Sequence, residues 1–380
     1  MKICVYDWAL HSIGGGQKFD CKITEHLSKT NDVDILSLFP VSKKQLEEAY
    51  AVDFSRIKNF KYLYKKSSLN PTLLHLFSFR KISRIAMEYD LFFNADAHET
   101  VKPNARYNVM YCHFFGLKWP KPAESFFDFV KLCARWLLKT IARNYARQYD
   151  KVYCNSNYTK AWLGKKWGVN SSVIYPPIDI PKKISARRKS IILSLGRLTP
   201  DKNYEFTIEC FKAVYDAGIK DYECWICGSE PPAEYYEKLK KLSEGYPIRI
   251  IINPKGRELN KIYSESKIFV QAKGLGINES KYPALLEHFG MSAVEAMAHG
   301  CVPILLNKGG YKESVENGKN GFLFDTREEA VEKLKMLVKN QRLWGRMSRN
   351  ARQRAKKFSL ERMQGQIDEA MRKAIKSGKI

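Results

Sequence analysis

The sequence lacks long apolar runs, low-complexity segments and internal repeats. No stretch approaches the roughly 18 consecutive apolar residues that a transmembrane helix requires. The chain begins with Met1–Leu10, a strand-like segment without the apolar core of a signal peptide. We therefore expect a cytoplasmic globular protein, and peripheral attachment to the inner face of a membrane stays open. A solenoid and a disordered protein are disfavoured.

Cysteines are too scattered for a disulfide framework. Nine occur in 380 residues, mostly inside apolar runs, which is typical of reduced thiols in a core. Cys224 and Cys227 have the spacing of a redox pair, yet they lie within Tyr222–Gly228, a run typical of a buried strand. We expect both to be core residues.

Familiar nucleotide and metal signatures are missing or weak. The glycine-rich segment Ser12–Gln17 follows neither the G-x-G-x-x-G nor the Walker A spacing, which disfavours NAD chemistry and simple ATP hydrolysis. The only D-x-D sequence is Asp32-Val-Asp34, which we interpret as a solvated turn at the entry to a strand rather than a metal site. We expect neither a metal ion nor a cofactor.

Positive charge is the unusual bulk property. The net charge is +25, which points to an anionic partner: nucleotide phosphates, an acidic membrane surface or nucleic acid. Between Phe54 and Met87 there are eight basic residues and no acidic one, and Lys118–Tyr149 adds seven basic residues against two acidic ones. Aromatic and leucine side chains are interleaved, a composition typical of interfacial membrane binding. Solvated helix faces over an ordinary core explain the same pattern equally well.

The chain alternates short apolar runs with amphipathic stretches, the pattern of an α/β protein with parallel sheets. We predict ten strands, at residues 2–6, 33–39, 91–94, 107–113, 151–155, 190–196, 222–228, 248–253, 267–271 and 301–306. A long helical stretch, 123–149, precedes the fifth. Three prolines in Tyr175–Pro181 and the basic run after them mark a linker. We therefore predict two doubly wound, Rossmann-like domains, 1–178 and 179–358.

Two strand-to-helix turns have the composition of anion sites. In the first, Gly14, Gly15 and Gly16 precede a helix, whose free N–H groups attract phosphate, although a purely geometric tight turn is equally consistent. In the second, Gly196-Arg197 ends a strand and Lys202 stands at the next helix start. Arg and Lys there form a diphosphate clamp, and the alternative is two cations on a solvated loop.

A third segment, Glu287–Pro303, is the most specific. Gly290 permits close backbone approach to a ligand, and Met291 and Ser292 open a helix with free N–H groups. Glu287 precedes that helix and Glu295 lies one turn inside it, so the two carboxylates can address different hydroxyls of one elongated ligand. An ordinary surface role is the alternative for Glu295, but its neighbours are apolar.

Together these three segments resemble glycosyltransferase family 4, whose members are retaining enzymes with the GT-B fold of two Rossmann-like domains facing across a cleft. The Glu287-His-Phe-Gly290 spelling, and Tyr111-Cys-His113 at a strand end, are similar to mannosyltransferases of lipid-linked oligosaccharide assembly. The resemblance implies that 359–380 is a helix crossing back to the first domain.

The resemblance also implies a role for each site residue. The donor diphosphate would be bound by Arg197, Lys202 and the N–H groups of Gly15 and Gly16. The transferred sugar would contact Glu287, His113 and the N–H groups of Gly290, Met291 and Ser292, and the ribose would contact Glu295.

The expected reaction is retaining transfer of a hexose from GDP-mannose or a UDP-sugar to a glycan or lipid-linked acceptor, without a metal. Arg197, Lys202, Glu287 and His113 are the expected catalytic residues. An epimerase or hydrolase using the same nucleotide sugar is the alternative, and a basic nucleic-acid-binding protein is disfavoured, so no nucleic-acid partner is expected.

Overall fold

The protein folds into two α/β units, seen in a computed structural model that describes residues 1–11, 14–66, 71–95, 101–114, 140–184, 188–376, 378 and 380. The first unit comprises residues 1–177 together with 361–380, and the second comprises 178–360. These limits lie one or two residues from the domain borders predicted above. The predicted helical stretch 123–149 falls largely outside the described residues, and its described part is helical over 140–146.

The first unit is built around a seven-stranded parallel sheet. Its strands are β1 (Lys2–Tyr6), β2 (Asp32–Ser37), β3 (Asn59–Tyr62), β4 (Leu91–Asn94), β5 (Tyr107–Cys112), β6 (Lys151–Cys154) and β7 (Ser172–Val173). They pair in the order β3-β2-β1-β4-β5-β6-β7. The helices between them are α1 (Gly15–Ser28), α2 (Lys43–Tyr50), α3 (Pro71–Ala86) and α4 (Asn157–Trp167). The reversal of strand order beside β1 places the α1 turn at the switch point where such sheets bind ligands.

The second unit repeats this architecture with six strands. They are β8 (Ile191–Gly196), β9 (Glu223–Gly228), β10 (Ile248–Ile252), β11 (Ile268–Gln271), β12 (Val302–Leu306) and β13 (Phe322–Phe324). The helices are α5 (Tyr204–Asp216), α6 (Ala233–Ser243), α7 (Gly256–Glu265), α8 (Met291–Ala298), α9 (Tyr311–Ser314), α10 (Arg327–Lys339) and α11 (Gln341–Ala355), with short 3₁₀ turns at Pro200–Lys202, Pro283–Leu285 and Lys356–Phe358.

All strand pairs of the second sheet are parallel, in the order β10-β9-β8-β11-β12-β13. The central strands are buried along almost their whole length because helices cover both faces of a parallel sheet. Cys224 and Cys227 point into this core, and burial raises the pKa of the Cys227 thiol to about 12. Both cysteines are free thiols, which agrees with the core interpretation.

The last helix, α12 (Leu360–Lys376), belongs almost entirely to the first unit. Its residues Met363 and Ile367 are buried. Asp368 lies 2.7 Å from Nε2 of His26 on α1, and the Gln366 amide donates to the Val173 carbonyl. The chain therefore leaves the first unit after β7 and returns to it only at its final helix.

The structure corrects the interpretation of Asp32-Val-Asp34 as a solvated turn. Both aspartates lie in β2, and Asp34 is buried. Its carboxylate accepts hydrogen bonds from the Tyr89 hydroxyl at 2.7 Å and the Asn59 amide at 2.8 Å, and Lys61 Nζ lies 3.3 Å away. The segment is thus a strand with a paired internal carboxylate.

Strands β3, β7 and β13 were not predicted from the sequence. Each has only two to four residues, too few for an apolar alternation to show.

In the part of the chain that the structure describes, no helix combines the length and apolarity that crossing a membrane demands.

Candidate active site

The carboxyl end of β8 is shaped by a glycine. A Cβ atom on Gly196 would lie 3.1 Å from the Tyr204 hydroxyl and 3.4 Å from the Gln271 amide nitrogen, so a larger residue would push the strand end away from its neighbours. Arg197 follows and is exposed, and the Pro200–Lys202 turn then brings Lys202 back over the end of the sheet. The sequence-predicted pair thus lies where β8 ends.

Glu287 is placed beside the same strand end by a second set of close backbone contacts. Gly290 has φ +90°, and a Cβ there would lie 2.8 Å from the Tyr311 ring. The Gly310 N–H donates to the Glu287 carbonyl at 2.8 Å. The Tyr311 hydroxyl donates to Gln271 at 2.8 Å, which ties this loop to the end of β11. Glu287 is therefore held in place by backbone at Gly290 and Gly310, two positions that only glycine can occupy without a clash.

Four charged side chains meet at this place, and we call Asp201, Lys202, Lys273 and Glu287 the cationic cluster. Lys202 Nζ donates to Glu287 Oε2 at 2.6 Å, and Lys273 Nζ lies 3.9 Å from the same oxygen. Lys273 Nζ also lies 3.9 Å from Asp201 Oδ2. The structure thus brings together the predicted Lys202 and Glu287 and adds Lys273, which sequence reasoning missed.

The protonation states of the cationic cluster follow from this geometry. Burial alone would raise the pKa of Glu287, but Lys202 and Lys273 outweigh it and hold the pKa well below its usual value. Burial lowers the pKa of Lys273, and Glu287 opposes that shift. Burial and the nearby Lys273 lower the pKa of His288 to about 3, so this imidazole is neutral at pH 7. Glu287 is therefore ionised and paired with Lys202.

Helix α8 begins beside Glu287 and presents its positive end there. Helical geometry leaves the N–H groups of Met291 and Ser292 without an intrahelical acceptor. One turn further along, Glu295 accepts a hydrogen bond at 3.0 Å from the hydroxyl of the buried Tyr263 on α7. The sequence did not identify Tyr263 as a partner of Glu295.

The first unit has a cluster of a different kind, and we call Asp7, Asp20 and His113 the carboxyl cluster. His113 follows β5, and its Nε2 lies 3.5 Å from Oδ1 of Asp20 on α1. A Cβ on Gly16 would lie 3.3 Å from that same Nε2, so the helix start and the imidazole are close neighbours. Gly15 and Gly16 form the first turn of α1, and Gly14 is held by the Tyr50 hydroxyl at 2.9 Å.

Asp20 is 2% exposed, and neither of its carboxylate oxygens has a hydrogen-bond partner among the described residues. Burial raises its pKa well above the usual value. Burial and, after it, the neighbouring Asp20 also raise the pKa of Asp7. The carboxylate oxygens of Asp7 accept hydrogen bonds from the Ala9 N–H and the Gln17 amide. Burial of most of the His113 ring lowers its pKa to about 4. Asp7 and Asp20 were not found from the sequence, because no pattern distinguishes a buried aspartate from a surface one.

Comparisons with known proteins agree on one family. Residues 177–354 match the model of the glycosyl transferases group 1 family. These residues make up nearly the whole second unit. The structure resembles that of HepE from Anabaena in complex with UDP and glucose, with a TM-score of 0.69 and 17% identity, covering 98% of this chain and 99% of that one. The second unit is a glycosyl transferases group 1 domain, which fits the resemblance to glycosyltransferase family 4. The fold of the chain is GT-B.

Two curated relatives of this glycosyltransferase carry more specific names. A GDP-Man:Man(3)GlcNAc(2)-PP-Dol alpha-1,2-mannosyltransferase of Dictyostelium discoideum is 24% identical over 232 residues, 53% of this chain and 42% of the relative. A probable sucrose-phosphate synthase of Thermosipho melanesiensis is 33% identical over 169 residues, 43% of this chain and 37% of the relative. The chain spans about half the length or less of these relatives.

Proposed function

We propose that this glycosyltransferase moves a hexose from a nucleotide-diphosphate sugar to a glycan or lipid-linked acceptor, with retention at the anomeric carbon. The observation that carries the proposal is the surplus of positive charge at the end of β8. Arg197, Lys202 and Lys273 bring three positive charges against the two carboxylates of Glu287 and Asp201. A diphosphate supplies the missing negative charge.

In this proposal the second unit holds the donor. Arg197 and Lys202 bind the two phosphates and stabilise the departing diphosphate, which takes the acceptor's proton. Glu287 and the N–H groups of Gly290, Met291 and Ser292 contact the transferred sugar. Glu295 accepts a hydrogen bond from the ribose. The hydrogen bond from the Tyr263 hydroxyl orients the Glu295 carboxylate for this contact.

The first unit contributes two further contacts in this proposal. The N–H groups of Gly15 and Gly16, at the positive end of α1, bind the diphosphate. His113 contacts the transferred sugar as a neutral imidazole, consistent with its lowered pKa. These roles rest on the family resemblance together with the placement of each residue at a helix or strand end.

GDP-mannose and UDP-sugars are the donors to test first. The named mannosyltransferase relative supports the former, and the complex of HepE with UDP and glucose supports the latter. Thermal-shift measurements with GDP, UDP and ADP, each alone and as the sugar conjugate, identify the base. We expect one nucleoside diphosphate to raise the melting temperature, and no shift with any of them would overturn the proposal.

We propose that the reaction needs no divalent cation, because cationic side chains already surround the diphosphate position. Among the described residues, no group of three or more His, Cys, Asp or Glu is placed to hold a metal ion. Transfer is therefore expected to persist in excess EDTA. Activity that disappears with EDTA and returns with Mg²⁺ or Mn²⁺ would contradict this.

An epimerase or hydrolase that uses the same nucleotide sugar is the second candidate. It shares the diphosphate site, so nucleotide binding does not separate it from a transferase. Incubation with the donor in the absence of acceptor does, because a hydrolase releases free sugar and an epimerase yields the epimeric donor. We expect neither product at a rate near that of transfer.

Binding to an anionic membrane surface is a further part of the proposal. Lys65, Lys66, Arg80, Lys81 and Arg84 are exposed in the first unit. Arg56 is exposed as well, whereas Lys58 and Lys61 are paired with Asp32 and Asp34. The six exposed residues that are not paired with these aspartates support a basic surface on the first unit. Sedimentation with phosphatidylglycerol vesicles in low salt should retain the protein, and phosphatidylcholine vesicles should not.

A further inference from the structure

Glu287 has one short charged partner, and the proposed function gives that partner a second task. Lys202 Nζ lies 2.6 Å from Glu287 Oε2, while the side chains of Lys202 and Glu287 are 12% and 15% exposed. The same ammonium group has to turn toward the donor's phosphates when the donor binds. If Lys202 moves away, a carboxylate that is mostly buried loses its hydrogen-bonded counter-ion. An unpaired buried charge is costly, so another group must compensate it.

Lys273 is placed to do so. It lies two residues after the end of β11, its side chain is 11% exposed, and its Nζ lies 3.9 Å from both Glu287 Oε2 and Asp201 Oδ2. That distance is too long for a hydrogen bond to either carboxylate. A displacement of about 1 Å toward Glu287 forms one. Asp201 is 45% exposed, so water solvates it when Lys273 leaves.

We propose that Lys273 is a positioning residue that takes over Glu287 when the donor's phosphates engage Lys202, so that Glu287 stays ionised and oriented toward the sugar. This inference rests on the proposed function. It assigns to Lys273 a role in the exchange of partners, in addition to its positive charge. The free protein then represents the state before the exchange. In this state Glu287 is hydrogen-bonded to Lys202, and Lys273 lies close by without a hydrogen bond to Glu287.

Among the described residues, the electrostatic neighbours of Glu287 include no other group that could replace Lys202. The titratable and charged side chains facing it are Lys202, Lys273, Asp201, His288, Tyr204 and Tyr311. His288 is neutral at pH 7, since its pKa is lowered to about 3, and the pKa of each tyrosine is raised by burial. Arg197 is exposed and is reserved for the phosphates in the proposed function. Without Lys273, Glu287 can avoid an unpaired charge only by taking up a proton.

The uptake of a proton by Glu287 in a protein without Lys273 can be measured. We expect Lys273→Met to bind the nucleoside diphosphate about 10- to 100-fold more weakly at pH 8 than the parent protein does. The loss should shrink at pH 6, because Glu287 of the variant becomes protonated as Lys202 moves to the phosphates. Calorimetry with UDP and GDP in two buffers of different ionisation enthalpy counts the protons. The variant should take up a fraction of one proton more than the parent, and a merely structural lesion gives no such difference.

Three further variants complete the design. Lys281→Met removes an exposed lysine nearby and should leave both affinity and proton count unchanged. Lys273→Arg should restore both, because a cation is again available to Glu287. In the Lys273→Met/Glu287→Gln double variant the additional proton uptake should vanish. Should Lys273→Met fail to fold by circular dichroism, Lys273→Gln, which keeps a polar side chain, gives the same readout.

Two outcomes overturn the inference and they are distinguishable. If the parent binds UDP or GDP and Lys273→Met binds it equally well with the same proton count, Lys273 has no part in the exchange, while the proposed function stands. If the parent binds no nucleoside diphosphate, the proposed function fails and the inference fails with it.

Discussion

The cationic cluster of the second unit and the carboxyl cluster of the first unit differ in whether a buried carboxyl group has a partner. In the cationic cluster a mostly buried carboxylate, Glu287, is paired with Lys202 at 2.6 Å and has Lys273 as a reserve. In the carboxyl cluster Asp20 is more deeply buried, and both of its oxygens lack a hydrogen bond among the described residues. One cluster is compensated and the other is not.

The difference shows in the pKa of each carboxyl group. That of Glu287 is held below its usual value, because two cations outweigh burial. That of Asp20 is raised, because burial disfavours the charged form. Compensation keeps a buried acid ionised, and its absence favours the protonated form. Strongly perturbed carboxyl groups next to proposed substrate contacts are characteristic of functional sites.

The largest expected effect comes from removing the cations. Lys202→Ala and Arg197→Ala should each reduce transfer by about 100-fold or more, since each contact to a developing diphosphate charge contributes about 2.7–4 kcal/mol in the transition state. Initial rates with the identified donor measure this. Lys240→Ala, which removes an exposed lysine on α6, is the matched control. Near-native turnover of either folded variant would remove the diphosphate role from that residue.

Next in size is the stability of the cationic cluster itself. Glu287→Gln should lower the free energy of unfolding by about 2–3 kcal/mol at pH 7, because it leaves two partly buried ammonium groups without their carboxylate. The folded-state pKa of Glu287 lies below its ordinary 4.5, so its contribution is present above pH 4.5 and is lost as the pH falls below it. Urea unfolding at pH 7 and pH 4 should show the difference between variant and parent shrinking.

Glu237→Gln, which breaks an exposed pair with Lys240, should change stability little at either pH. A Glu287→Gln variant as stable as the parent at pH 7 would show that the pair adds nothing to the fold.

The carboxyl cluster should respond to pH with the opposite sign. The folded-state pKa of Asp20 lies above its ordinary 3.8, so the parent loses stability as pH rises from 3.8 through that raised value. Asp20→Asn removes the charge and supplies an amide that can donate to Asp7. We expect this variant to be about 1–3 kcal/mol more stable than the parent at pH 8, with the gain disappearing toward pH 4. Urea unfolding across that range measures it, and an Asp20→Asn variant less stable at every pH would contradict the assignment.

Glu295 is the intermediate case, a carboxylate that accepts a hydrogen bond from a neutral tyrosine. The hydroxyl of Tyr263 lies 3.0 Å from Glu295 Oε2, and burial followed by this carboxylate raises the pKa of the tyrosine. Tyr263→Phe should weaken binding of the free nucleoside diphosphate by about 1 kcal/mol or less, because Glu295 loses one orienting hydrogen bond. Calorimetry measures it, with Tyr236→Phe on the surface of α6 as control. A Tyr263→Phe variant with parental affinity would show that Tyr263 does not orient Glu295 for the nucleotide.

The sequence predicted the parts of the molecule that follow from apolar periodicity and glycine spacing. The buried strands and the break between units belong to that class. The contact between Lys202 and Glu287 was not predicted, although both residues were identified as site candidates. Short β3, β7 and β13 could not be predicted, because their pairing depends on neighbouring strands. Lys273 was within reach, since it follows a predicted strand just as Arg197 does. Asp7 and Asp20 were not, because their burial arises from packing between separate segments.

The membership of α12 in the first unit bears on how the protein folds during synthesis. Residues 178–360 are contiguous and can fold as soon as they leave the ribosome, whereas the first unit needs residues 361–380, which are made after the whole of the second unit. Domains usually fold from the N-terminus onward, and here that order is partly inverted. Until the last helix emerges, the apolar side chains that later meet Met363 and Ile367 are not covered by it, so the first unit exposes apolar surface during that interval.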